Sequence, residues 1–84
     1  MNHIELGETV NLMISSDYKK RFLAEYLQLK VRLSKLESMI VAWDNGKLDF
    51  TPTCPREIYD KQIKSMGEYL DILVERAKIE NIEL

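Results

Sequence analysis

The chain is poor in the residues that most often carry chemistry. Among 84 residues there is one cysteine and one histidine. A single cysteine, Cys54, closes no internal disulfide, and the compartment that suits it is reducing cytosol. With His3 and Cys54 alone, no metal-ligand cluster forms. The three glycines stand apart at positions 7, 46 and 67, which leaves no glycine-rich phosphate loop. No apolar run approaches the ~18 residues of a membrane span. Met1 to Ile14 has neither the basic start nor the apolar centre of a signal peptide. The net charge of −2 argues against a general DNA or RNA binder, which is clearly basic as a rule. No cofactor and no membrane partner are expected.

What is present is periodicity. Phe22, Tyr26, Leu29, Leu33, Leu36, Ile40 and Trp43 recur at spacings of four and three. After an interruption rich in Gly, Pro and Thr, Tyr59, Ile63, Met66, Leu70, Leu73 and Ala77 do the same. Such spacing places each set on one stripe of a helix that packs against another helix. Ser15, Ser16 and Asp17 are N-cap residues, and Asp44-Asn45-Gly46 is a stop with Gly46 suited to the left-handed closing position. The first helix is therefore expected over about 17–43, ~40 Å long. Pro52 and Pro55 delay the second, expected over about 55–81 with Thr53 or Cys54 as its cap. Leu48 and Phe50 alternate with polar neighbours in the connector and are expected to fold back on the hairpin. Residues 1–14 are a leader interrupted by Gly7. A disordered arm, a short strand and a helical turn are all open to it.

The expected fold is all-α: an antiparallel helical hairpin, residues 15–84, assembling into a homo-oligomeric helical bundle. One seam buries too little apolar surface to order two long helices alone. Further apolar residues flank it. Leu23, Leu27, Val31, Met39 and Val41 do so on the first helix. On the second, Ile58, Gln62, Tyr69, Ile72, Arg76 and Ile79 form an adjacent mixed stripe. A basic start to the first helix (Lys19, Lys20, Arg21) and an acidic end to the second (Glu75, Glu80, Glu83) favour the antiparallel order.

No catalytic constellation is visible, and an enzyme is not expected. His3 has no partner group, and Cys54 has no base, although a helix N-terminus stabilises a thiolate. Binding is the better-supported class. Gln62, Tyr69 and Arg76 recur every seven residues and align an amide, a phenol and a guanidinium. Aromatic rings stack on bases, and Arg and Lys hold phosphates. Lys19 and Arg21 at a helix start and Thr51 in the connector complete the set of expected ligand-binding residues. Against this stands the reading that these polar residues only fix helix register or lie at a solvated boundary.

From Tyr18 to Leu84 the chain resembles small helical proteins of crAss-like and other tailed phages. The resemblance is carried by Tyr18-Lys19-Lys20-Arg21, by Leu48-Asp49-Phe50-Thr51-Pro52-Thr53-Cys54-Pro55, and by Gln62, Met66, Tyr69, Leu73 and Arg76. It implies no particular activity. In architecture alone the chain is similar to phage anti-CBASS and anti-Thoeris sponges, short helical hairpins that assemble and sequester cyclic nucleotide signals of bacterial immunity. That likeness implies a counter-defence protein that binds a cyclic nucleotide without cleaving it. The alternative is an adaptor or inhibitor that docks a host or phage partner on the flank Leu23, Leu27 and Val31. A structural coiled-coil component of the virion is the third reading.

Overall fold

The structure, a computed structural model, describes residues 4–84. His3, considered above as a lone base, lies outside the described residues. The regular structure of the described residues is helical, with no strand among them. A 3-10 turn at Leu6–Thr9 leads into a short helix α1, Val10–Met13, and two long helices follow, α2 at Tyr18–Asp44 and α3 at Arg56–Glu80.

Local chemistry sets these boundaries. Asp17 has extended backbone angles, and its carboxylate accepts the Lys19 amide at 2.9 Å. That satisfies one of the donors left free at a helix start. At the other end Gly46 takes φ +67, and the Lys47 amide returns to the Ala42 carbonyl at 2.8 Å. Pro55, not Thr53 or Cys54, is the N-cap of α3, and no side chain bonds there in the capping manner. α3 ends at Asn81, in the left-handed conformation at φ 57, with the Ile82 amide bonded to the Ala77 carbonyl at 2.8 Å. This closure tucks Ile82 back into the core.

α2 and α3 run antiparallel. Tyr18 at the start of α2 meets Glu80 at the end of α3, and Asp44 at the end of α2 meets Arg56 at the start of α3. The core lies toward the open end of this pair, where Phe22, Leu29, Leu73, Ala77 and Ile82 cluster with Tyr26, Met66 and Leu70 packed against them. Leu73 is fully buried. Toward the connector the seam is thinner. Trp43 and Tyr59 are half-buried and meet edge to face, 5.9 Å between ring centroids. Of the two connector residues expected to fold back, Leu48 is half-buried, but Phe50 remains 54 % exposed. The charge argument also changes in detail. At the open end the helices are joined by the Tyr18 phenol and by Lys19 on the Asn81 carbonyl, and the interhelix ion pair Arg56–Asp44 lies at the closed end.

The leader is a third packing element. Thr9 is completely buried; its hydroxyl donates to the Leu6 carbonyl at 2.7 Å and accepts from the Gln28 amide at 2.8 Å. Lys35 pairs with Glu5 at 3.1 Å. Ala24, one turn before Gln28, is only 1 % exposed. Leu23, Leu27 and Val31 are half-buried, not a fully open apolar flank.

Candidate binding surface

Tyr18 is the first residue of α2, placed there by the Asp17 cap, so its side chain stands at the open end of the hairpin. Its hydroxyl donates to Glu80 Oε1 at 2.7 Å and accepts from Arg76 Nη2 at 2.9 Å. Arg76 Nε donates to Glu80 Oε2 at 3.1 Å, which closes a triangle of phenol, guanidinium and carboxylate. The Arg76 guanidinium lies 4.9 Å from the centre of the buried Phe22 ring, a stacking contact that flattens it onto the core. On the other side of Tyr18 the Arg21 guanidinium stands 6.0 Å from the phenol ring centre and donates to the Ser15 carbonyl at 2.9 Å. Two arginines thus converge on one tyrosine. Two turns earlier on α3, the Tyr69 hydroxyl donates to the Glu25 carboxylate of α2.

These contacts shift the titrating groups in a consistent way. The Glu80 carboxyl is held below its ordinary value, first by the Tyr18 hydroxyl and then by Arg76. Tyr18 is raised because it donates to Glu80, and Tyr69 is raised because it donates to Glu25. Arg76 is raised by its bond to Glu80. At neutral pH both phenols are therefore protonated and Arg76 is charged. The surface offers ring faces and guanidinium donors. Among the described residues no group of three or more His, Cys, Asp and Glu could hold a metal ion.

The structure brings some of the expected ligand residues together and separates others. Arg76 and Arg21 both meet Tyr18 at the open end, and Tyr69, two turns earlier on α3, forms a separate pair with Glu25. Lys19 projects elsewhere: its ammonium donates to the Asn81 carbonyl at 3.2 Å and rims a shallow depression with Lys20, Leu23 and Ile82. Gln62 is exposed on the Tyr69–Arg76 stripe, but it lies fourteen residues from Arg76, ~21 Å along the helix. Thr51 is exposed in the connector, at the opposite end of the molecule from Arg76. Tyr18, Glu25 and Glu80 were not among the expected ligand residues. An aromatic residue at a helix start with Arg21 one turn away was the available signal for Tyr18. The two carboxylates carry no such mark in sequence.

The fold and this surface define a class: a small all-helical protein whose aromatic and charged side chains are bonded to one another on an accessible face. The chain belongs to the Sequestin family, whose model matches residues 16–79. The matched span holds Tyr18, Arg21, Glu25, Tyr69 and Arg76 and leaves out the leader and Glu80. No curated protein and no solved structure matches the chain.

Proposed function

We propose that this protein is a phage counter-defence factor that binds a cyclic nucleotide second messenger of bacterial immunity and sequesters it without cleaving it. The observation that carries the reading is the convergence of Arg21 and Arg76 on Tyr18 beside the half-open Tyr69 ring. A cyclic nucleotide needs a flat apolar face for its base and paired donors for its phosphates. Tyr69 supplies the face, and the two guanidiniums supply the donors. The family name speaks of sequestration, which agrees with a binding role. Glu80 occupies Arg76 in the free protein, so an incoming phosphate takes over that bond and binding is favoured at low salt.

Titration calorimetry against cyclic mono-, di- and trinucleotides and pyrophosphate-linked cyclic nucleotides tests the proposal. One of them binds at micromolar concentration or better, and heating the complex releases it chemically intact. Tyr69→Ala weakens binding at least tenfold, in line with ~1–3 kcal/mol for a base stacked on an aromatic ring. Absence of binding across the panel, or release of a cleaved product, overturns the reading. For the alternative reading, an adaptor or inhibitor that docks a partner on Leu23, Leu27 and Val31, those three side chains are half-buried, which leaves part of that flank accessible.

A further inference from the structure

Among the described elements the leader packs on α2 and not on α3. Three α2 side chains hold it. Arg21 Nη1 donates to the Ser15 carbonyl at 2.9 Å, Gln28 Nε2 to the Thr9 hydroxyl at 2.8 Å, and Lys35 Nζ to the Glu5 carboxylate at 3.1 Å. These donors recur every seven residues, so they share one stripe of α2. Their acceptors come in reverse chain order, so the leader runs antiparallel along that stripe. Thr9 is fully buried, whereas Val10, Met13 and Ile14 stay exposed. A short segment held this way, with few buried apolar side chains, opens at low free energy.

Arg21 belongs to two networks at once. It holds the end of the leader, and it stands 6.0 Å from the ring centre of Tyr18, whose hydroxyl accepts from Arg76. Ser15 is the joint between the two. Its amide donates to the Leu12 carbonyl of α1 at 3.2 Å, its hydroxyl accepts the Asp17 amide at 3.0 Å, and its carbonyl accepts from Arg21. Docking of the leader thus fixes the acceptor that fixes the guanidinium. Nη1 carries that bond, so the other N–H donors of the fork stay available to a phosphate.

We infer that the leader is a strap that positions Arg21 for a ligand phosphate, an inference that rests on the nucleotide reading above. A free arginine loses rotamer freedom when a phosphate captures it, and one already held by Ser15 has less to lose. The coupling is reciprocal: what the docked leader adds to ligand affinity, the bound ligand adds to leader docking. Lys35, fourteen residues and ~21 Å along α2 from Arg21, then acts on the site from a distance.

Two variants loosen the strap away from the site. Lys35→Glu sets a carboxylate against Glu5, and Thr9→Val removes the hydroxyl bonded to Leu6 and Gln28. In both, with helical circular dichroism retained, the bonded leader amides of Glu8, Val10, Ile14 and Ser15 exchange with deuterium about fivefold faster or more, and those of α3 at the wild-type rate. Affinity for the cyclic nucleotide that wild type binds falls about threefold or more. Thr9→Ser, which keeps the hydroxyl, restores both. In wild type, saturating nucleotide slows exchange of the same leader amides. Unchanged leader exchange in Lys35→Glu and Thr9→Val overturns the strap. A loosened leader with unchanged or tighter nucleotide binding overturns the positioning of Arg21. If wild type takes up no nucleotide, the nucleotide reading fails separately, and nuclear magnetic resonance of the Arg21 side chain decides the strap. Its two Nη resonances are separated in wild type by the Ser15 bond and average together in Lys35→Glu. Resonances that stay separated there overturn the strap.

Discussion

Glu80 serves two partners at once, the Tyr18 hydroxyl and the Arg76 guanidinium, and its pKa is depressed as a result. A group whose folded pKa lies below its unfolded value stabilises the fold above the unfolded value, here near 4.5, and the contribution is lost as pH falls through the folded one. Glu80→Gln therefore melts at a lower temperature than wild type at neutral pH. The two melting curves converge in acid, below both values, and a gap that persists there contradicts the assignment. Leu73 is the residue on which the core turns. It is fully buried between the helices, and Leu73→Ala costs ~2–5 kcal/mol, measured by urea unfolding. For a domain of this size, with ~4–13 kcal/mol in all, that is a large share. At this scale the seven-residue spacing singled out Tyr69 and Arg76 as candidates, and the structure gives each a carboxylate partner, Glu25 and Glu80. The sequence did not mark Glu25 or Glu80, because a carboxylate on a charged helix looks the same whether it is solvated or bonded across the hairpin.

At the scale of elements, the long helices at Tyr18–Asp44 and Arg56–Glu80 stand beside expected spans of about 17–43 and 55–81. Period and caps together carry that much information, and the all-helical class follows from the period alone. The leader was harder to read, for a physical reason. It docks through a buried hydroxyl, Thr9, bonded to Gln28, and through Glu5 paired with Lys35, and none of these contributes to an apolar stripe. Its helices are also too short to display a period. Thr9→Val removes the bonds to Leu6 and Gln28 and lowers stability by ~1–3 kcal/mol, readable as a shift in the denaturant midpoint. Gly67, inside α3, has two opposite readings from sequence, a close helix crossing or a tolerated surface position. A Cβ built there meets no atom within 4 Å, which rules out the crossing. Gly67→Ala then stabilises the protein by ~0.5–1 kcal/mol, and a loss of stability shows that the space is needed.

The whole molecule is a rod of about 43 × 24 × 24 Å, with its core near the open end of the hairpin and its charged and aromatic cluster over that core. The proposed binding surface lies over that core. The part of the hairpin that is best buried holds Tyr18, Phe22 and Arg76; at the connector end a second cluster joins Trp43, Tyr59, Arg56 and Asp44. None of the helices is long and apolar enough to cross a membrane among the described residues. Native mass spectrometry of the protein, purified gently and then exposed to the cyclic nucleotide panel, tests the central claim most directly. The account predicts an assembly of at least two chains that gains the mass of an intact cyclic nucleotide at a fixed ratio per chain, and loses it in the Tyr69→Ala and Arg76→Ala proteins. An assembly that gains no mass from any member of the panel would contradict it.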